Sequence, residues 1–234
     1  MNHCTVYRSA TALVFSLLVA SPALAGIVIT GTRVVYPAGE REVAVKIDNR
    51  GSEPVLAQSW VDEGDPDATP ETTRAPYTIS PPVNRINPGK GQTLRLRYVG
   101  ESLPTDKESV FWLNVLEVPP LKKNKQNQLQ MAFRSRIKIF YRPAGLPGNA
   151  NLAGQSVTWK REKNGVEGTN PTPYYVSLAN IAEDKEGKRP IGEGGMIAPG
   201  GKAFFPLKKK VSTIYPSYIN DYGGITPTAQ SVAP

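Results

Sequence analysis

Apolar and polar residues alternate with a period of two along most of the chain. The clearest runs are EVAVKID at 42–48 and TLRLRYV at 93–99, and shorter β-rich runs include SVFWLNVLEV, SVTWK, YYVSLANI and KAFFPL. A period of two is typical of a strand with one buried face. No window of helical length places apolar residues at i, i+3, i+4 and i+7. The pattern therefore predicts an all-β protein built from many short strands.

Turn-forming residues separate these runs at regular intervals. The sequence contains 22 proline and 21 glycine residues, many of them in clusters such as NPGKG and IAPGG. Short strands at regular spacing favour β-sandwiches over barrels. The richest cluster, YRPAGLPGNANLAG at 141–154, is typical of a linker between domains. We therefore expect two sandwich domains, at residues 26–143 and 144–234.

One alternating run, QLQMAFRSRIKIFYRP at 128–143, does not look like an ordinary core strand. Apolar side chains occupy most of its odd positions, but Ser135 interrupts the row. The run also follows a polar, lysine-rich stretch, LKKNKQNQ. The pattern leaves open what the apolar side of this strand packs against.

The first 25 residues have the pattern of a secretory signal peptide. Arg8 precedes a short apolar run, TALVFSLLVA, which is followed by the small-residue sequence SPALA. The run is shorter than the roughly 20 apolar residues that a membrane-spanning helix needs. We expect cleavage after Ala25, no membrane insertion, and a mature protein outside the cytoplasm.

Removal of this leader limits the chemistry that the protein can perform. His3 and Cys4 are the only histidine and cysteine of the sequence, and both lie in the leader. The rest of the chain has no imidazole base, no thiol nucleophile and none of the commonest zinc ligands. The acidic stretch at 62–71 lacks the spacing of a calcium loop, so we interpret it as solvated. We expect no enzymatic activity, no cofactor and no metal.

The formal net charge is +8 at pH 7. A basic exported protein could bind nucleic acid, anionic lipid or an acidic protein. Because charge alone is weak evidence for nucleic-acid binding, we expect no nucleic-acid partner.

Five separated motifs resemble a single family. The most specific is LPTDKESVFWLNVLEVPP at 103–120, and the others are TRVVYPAG, IKIFYRP, NPTPYYVSLANI and YINDYGGITP. Taken in their order along the chain, they are similar to motifs of the periplasmic pilus-assembly chaperones of the chaperone–usher pathway. The resemblance extends over the whole chain after the leader.

The resemblance implies a fold and a mechanism. Members of this family have two immunoglobulin-like β-sandwiches, arranged as a boomerang around a cleft. They lend the last strand of the first sandwich, the donor strand, to a pilin subunit that lacks its own final strand, and deliver the pilin to an outer-membrane usher. Leu129, Met131 and Phe133 match the residues that fill the pilin groove. The alternative is that these three belong to the core of the first domain.

Two sets of charged residues also match functional positions of the family. Arg33 and Lys138 match the pair that binds the terminal carboxylate of the pilin at the base of the cleft. Glu108, Arg142 and Asp221 match an ionic network between the domains. For Arg33 and Lys138 the alternative is an ordinary solvated charge on a strand.

An apolar patch on the first domain matches the surface that meets the usher. Its residues by motif position are Leu56, Pro81, Pro82, Val83 and Val118. The alternative is ordinary packing at the rim of the sandwich.

The assignment of Lys138 raises a geometric difficulty. Lys138 lies an odd number of residues from Phe133, so an ideal strand directs the two side chains to opposite faces. A twist, a β-bulge or the break at Ser135 would reconcile the two assignments.

The resemblance further implies a subclass, a location and partners. The stretch between Pro120 and Leu129 is short and the chain after the leader contains no cysteine pair, which is similar to the short-loop class that builds rod-type or thin fimbriae. We expect a periplasmic protein whose partners are pilin subunits and an usher. Self-association of the free protein stays open.

Two other functions are kept as alternatives. The first is a secreted two-domain β-sandwich module that binds carbohydrate or another surface. Trp60, Trp112 and Trp159 lie in strand-like runs rather than loops, which does not favour a carbohydrate site. The second is a hydrolase, for which no carboxylate pair stands out.

Overall fold

The structure, a computed structural model, describes residues 26–120 and 131–234. Within these residues the chain forms seventeen β-strands and one short 3-10 helix, so the predicted all-β class is confirmed. The predicted leader at 1–25 and Leu129 lie outside the described residues. Among the described residues, no helix is long and apolar enough to cross a membrane.

Nine strands build the first sandwich. They are β1 (Ile27–Ile29), β2 (Arg33–Pro37), β3 (Val43–Asn49), β4 (Val55–Asp62), β5 (Tyr77–Ser80), β6 (Val83–Ile86), β7 (Gly91–Tyr98), β8 (Ser109–Val118) and β9 (Phe133–Arg142). They form a four-stranded sheet in the order β1-β3-β7-β5 and a five-stranded sheet in the order β2-β9-β8-β4-β6. Alternate residues of both sheets fill one hydrophobic core, which includes Ile47, Leu96, Leu113 and Ile139.

The alternating runs found in the sequence form strands of this sandwich. The run at 42–48 lies mainly in β3 and the run at 93–99 in β7. The run at 128–143 is a strand only from Phe133 onward, and Met131 precedes that strand.

Eight strands build the second sandwich. A 3-10 helix (Ala150–Ser156) precedes β10 (Thr158–Glu162), β11 (Gly165–Thr169), β12 (Val176–Ala182), β13 (Pro190–Ile197), β14 (Lys202–Pro206), β15 (Thr213–Ile219), β16 (Ile225–Pro227) and β17 (Gln230–Ala233). β17 pairs with β10 in parallel and with β15 antiparallel, so these strands form one continuous sheet. A second core, separate from the first, includes Val166, Ile181 and Ile214.

The two sandwiches are joined by side-chain and backbone contacts. Within the described residues, every strand ladder lies either among β1–β9 or among β10–β17. The Glu108 backbone amide donates to the carbonyl of Pro173 at 2.9 Å, across the junction. β9 ends at Arg142 and the next element begins at Ala150, within the stretch that the sequence assigns to a linker. The division after residue 143 stays a prediction.

Candidate functional site

The last strand of the first sandwich, β9, is paired on one edge over most of its length and on the other edge over only half. β8 pairs with it from Phe133 to Tyr141 without a shift in register. β2 pairs with the opposite edge only from Lys138 to Arg142, and in parallel. Among the described strands, none pairs with that edge between Phe133 and Ile137. We call this segment, Phe133–Ile137, the free edge; unpaired strand edges of this kind accept another chain readily.

The apolar side of β9 is buried at one end and exposed at the other. Ile137 and Ile139 pack in or against the first core. Phe133, on the same side, is 58% exposed, and Met131 just before the strand is 54% exposed. Among the described apolar residues of this row, these two are therefore surface residues of the free protein rather than its core.

Ser135 marks the point where the row leaves the core. It lies with Phe133 on the wall of an open cavity of about 540 Å³, which Val55 and Val115 line from the core side. The interruption seen in the sequence thus coincides with the change from buried to exposed side chains.

Arg33 and Lys138 lie directly opposite each other in the parallel ladder between β2 and β9. The Arg33 Nη1 group donates to the carbonyl of Ile219 at 3.2 Å, while its buried Nε has no partner among the described residues. Lys138 is partly buried and forms no ion pair within the described chain. We call these two residues the cation pair. Like charges directly opposite on neighbouring strands are destabilising, so the arrangement suits an anion that is supplied from outside.

The surroundings of the cation pair disfavour its positive charge. Burial lowers the pKa of Arg33 from its usual range, although the nearby carboxylates of Asp221 and Glu108 act in the opposite direction. Burial, together with the charges of Arg33 and Arg136, lowers the pKa of Lys138. A bound carboxylate would reverse this effect, because an opposite charge favours the charged form of each group.

Neither a β-bulge nor the break at Ser135 turns Lys138 toward the side of Phe133. The ladder between β8 and β9 passes Ser135 without a register shift, so strict alternation holds along β9. Phe133 lies on the core side of the sheet and Lys138 on its outer side. Phe133 begins the free edge and Lys138 follows directly after its last residue, so a single added strand would reach both residues.

The three residues of the expected ionic network do lie together at the junction of the sandwiches. Arg142 donates from Nε to Glu108 Oε1 at 2.6 Å, and from Nη1 and Nη2 to Asp221 at 2.7 and 2.8 Å. Glu108 Oε2 also accepts from the Tyr175 backbone amide at 2.7 Å. Burial would lower the pKa of Arg142, but the hydrogen bonds to Asp221 and Glu108 raise it, so the guanidinium stays charged.

Three of the five residues assigned to the usher surface lie on adjacent strands of the five-stranded sheet. Leu56 of β4 lies directly opposite Val118 of β8, and Val83 of β6 pairs with the β4 residue two positions further on. Leu56 and Val83 are exposed. Pro82 is also exposed and Pro81 partly so, in the turn before β6. We call these residues the apolar patch.

A polar cluster on the outer side of the five-stranded sheet was missed by the sequence analysis. Asp62 is only 1% exposed, so its assignment to a solvated loop is wrong. It accepts from Arg136 Nε at 2.8 Å, from Asn114 Nδ2 at 2.7 Å and from the Gly64 amide at 2.7 Å. Arg136 also lies over the Trp112 ring, with its guanidinium carbon 4.7 Å from the centroid. The sequence does show positive charges at alternate positions of β9, but this spacing alone does not show that Asp62 pairs with Arg136.

Two family models match the chain, one for each sandwich. Residues 26–147 match the model described as "Pili and flagellar-assembly chaperone, PapD N-terminal domain". Residues 153–230 match "Pili assembly chaperone PapD, C-terminal domain".

Individual relatives match over nearly their whole length. The chaperone protein FimB/FhaD of Bordetella pertussis is 44% identical over 92% of this chain and 91% of its own. The crystal structure of the YadV chaperone is 42% identical, with a TM-score of 0.75 over 88% of this chain and all of that one. A structure of the Salmonella enterica SafA pilin in complex with the SafB chaperone is 26% identical, with a TM-score of 0.78 over 90% of this chain and 98% of the matched chain.

Proposed function

The chain belongs to the family of pilus-assembly chaperones, a non-enzymatic family, and from this premise we propose that it captures pilin subunits by adding them to β9. In this mechanism the free edge pairs with the last strand of an incomplete pilin, and the cation pair binds the pilin's terminal carboxylate. The relationship to SafB, whose structure includes a pilin, supports a pilin as the partner.

The proposal depends chiefly on where the free edge ends. β2 occupies the edge of β9 from Lys138 onward, so a strand added beside Phe133–Ile137 lies in line with β2 and stops at Arg33. If the added strand runs parallel to β9, its carboxyl end meets the cation pair. If it runs antiparallel, its amino end meets two positive charges. Charge therefore favours parallel addition, with the terminal carboxylate between Arg33 and Lys138.

Exposed apolar side chains beside the free edge supply the second part of the interaction. Strand addition gains affinity from backbone hydrogen bonds and specificity from alternate side chains that enter pockets. Burial of Met131 and Phe133 in a pilin groove would contribute about 1.5–3 kcal/mol each, before the loss of conformational entropy is subtracted. We assign Leu129 the same role from its place in the alternating row.

Location and delivery complete the proposed function. We infer a periplasmic protein, because the first 25 residues have the pattern of a signal peptide and the family acts on pili. We assign the apolar patch to the usher, since exposed apolar residues on adjacent strands are typical of protein–protein contact surfaces.

The alternative of a carbohydrate-binding module has little support. Such sites need exposed aromatic faces, but Trp60 and Trp159 are buried. Trp112 is covered by Arg136 on its outer face.

Substitution of the cation pair tests the proposal. We expect Arg33→Ala and Lys138→Ala each to lower pilin capture by about 10- to 100-fold, because a hydrogen bond to a charged group contributes about 1.5–3 kcal/mol. Capture is measured as pilin that copurifies with the chaperone from cells that express both proteins. Lys46→Ala and Arg97→Ala, exposed residues of the four-stranded sheet, are the matched controls and should capture pilin normally.

The thermal midpoint of each variant shows whether it remains folded. Wild-type capture by a folded Arg33→Ala or Lys138→Ala variant would contradict the proposed role of the cation pair.

A further inference from the structure

The outer side of β9 bears three cations at intervals of two residues, and the first two are engaged by the protein itself. Arg134 donates to the Pro66 carbonyl and lies over the Trp60 ring, 5.9 Å from its centroid. Arg136 is bound by Asp62. Lys138, the third, has no acidic partner within the described chain.

We propose that Asp62 is a positioning residue that sets the register of the captured strand: it engages Arg136, so that the partner's terminal carboxylate passes this position and stops at Lys138. The inference rests on the proposed function, because it requires a strand that is added along the free edge.

The need for such a residue follows from the pleat of a β-sheet. A slip by one residue moves every side chain of the added strand to the wrong face, so pleat alternation alone prevents it. A slip by two residues returns each side chain to its own face and meets no such barrier. Register therefore depends on what distinguishes Lys138, which lies opposite Arg33, from Arg136, two residues and about 6.6 Å earlier along the strand.

An uncovered arginine at position 136 would compete well for a carboxylate. Arginine binds carboxylates with two parallel hydrogen bonds, whereas lysine acts as a point charge. Asp62 occupies one bidentate side of the Arg136 guanidinium, at Nε and Nη2, and its negative charge offsets that of Arg136. Asp62 is held beside Arg136 in the folded protein, because its side chain is buried and also accepts hydrogen bonds from Asn114 and the Gly64 amide.

The hydrogen bonds that Asp62 accepts favour its negatively charged form. Burial would raise the pKa of this carboxyl, but hydrogen bonds from Arg136, Asn114 and the Gly64 amide hold it below its usual value. Asp62 therefore neutralises Arg136 throughout the neutral pH range.

A cysteine cross-linking experiment measures the register directly. Cys4, in the predicted leader, is the only cysteine of the sequence, so Ser135→Cys introduces a single thiol beside the free edge. A pilin captured by the wild-type protein is given one cysteine at successive positions of its last strand. Paired residues of adjacent strands lie about 5 Å apart, within the range of a disulfide. The control is the protein without the Ser135→Cys change, which has no cysteine after residue 25 and should form no cross-link.

We expect Asp62→Asn to move the strongest cross-link by two residues toward the carboxyl end of the pilin. The double variant Asp62→Asn/Arg136→Gln should return it to the wild-type position, because the competing cation is gone. A purely structural role for Asp62 would not produce this rescue. Asp62→Ser, which also removes the negative charge, should shift the cross-link in the same way and serves as the test if Asp62→Asn does not fold.

The outcomes separate this inference from the proposed function. If the Ser135→Cys protein with Asp62 intact forms no cross-link with any pilin position, strand addition itself is wrong. If it does, and both Asp62→Asn and Asp62→Ser cross-link only at the wild-type position, the register role of Asp62 is wrong. A slipped register that the double variant fails to restore would also overturn it.

Discussion

At the scale of single residues, the cation pair is an arrangement that the free protein does not need for its own stability. Arg33 and Lys138 face each other across a ladder, and the buried Nε of Arg33 has no partner among the described residues. Unpaired buried donors and opposed like charges both disfavour the folded state. We interpret this local destabilisation as a sign of anion binding, because a bound carboxylate would accept a hydrogen bond from the buried Nε and offset the two positive charges.

The lowered pKa of Lys138 predicts how capture depends on pH. The free protein loses this charge at a lower pH than an ordinary lysine, with its usual pKa near 10.5, whereas a bound carboxylate favours the charged form. Affinity for pilin should therefore be full at neutral pH and fall as the pH rises through the lowered pKa. Titration of affinity between pH 7 and pH 10.5 measures this decline.

A lysine-to-arginine variant is the control for this dependence. Lys138→Arg keeps its charge at every pH used, because the arginine pKa lies above about 12. Its affinity should stay flat where that of the wild-type protein falls. An equal decline in both proteins would assign the effect to another group.

At the scale of elements, β9 is one uninterrupted strand whose two halves are paired differently. Its second half, from Lys138, is held between β2 and β8 and contributes Ile139 to the core. Its first half is held by β8 alone and exposes Phe133. The half of β9 that is paired on both edges therefore fixes the position and direction of the first half, which we propose binds a pilin.

Glutamate substitutions in the two halves should have opposite effects. Phe133→Glu changes an exposed residue, so we expect a change in unfolding free energy within about 0.5 kcal/mol and loss of pilin capture. Ile139→Glu, six residues later on the same side, places a charge in the core and should unfold the first sandwich. Urea denaturation and pilin copurification give the two measurements. Unfolding of Phe133→Glu would show instead that this residue belongs to the core.

At the scale of the whole molecule, the ionic network joins the sandwiches next to the cation pair. Glu108 and Arg142 come from the first sandwich, and Asp221 and the Tyr175 amide from the second. Ile219, which accepts from Arg33, lies two residues before Asp221. The placement of the second sandwich therefore also determines the orientation of Arg33.

Removal of the central arginine should weaken the whole molecule. Arg142→Ala leaves Glu108 buried without its ionic partner, and breaking a buried pair in this way costs about 3–5 kcal/mol. Arg189→Ala is the control, because the Arg189 side chain is 68% exposed and its long ion pairs contribute at most about 1 kcal/mol. Both values are measured by urea denaturation. Equal stabilities of the two variants would contradict the structural role of the network.

Much of the fold and part of the site could be predicted from the sequence. The run SVFWLNVLEV coincides with β8 from its first residue to its last, because its content of β-branched and aromatic residues is a local property. Arg33, Lys138 and the ionic network could be named because their motifs resemble a family. Asp62 could not, because its burial depends on Arg136, which lies 74 residues away in the chain.

The sequence by itself determined the all-β class, the positions of most strands and the absence of histidine and cysteine after residue 25. These properties depend on residue type and on spacing along the chain. Only the tertiary structure decided which edge of β9 is unpaired, that Arg33 lies opposite Lys138, and that Asp62 covers Arg136. Each of these depends on the register between strands that are distant in sequence, and register is set by the packing of the whole sheet.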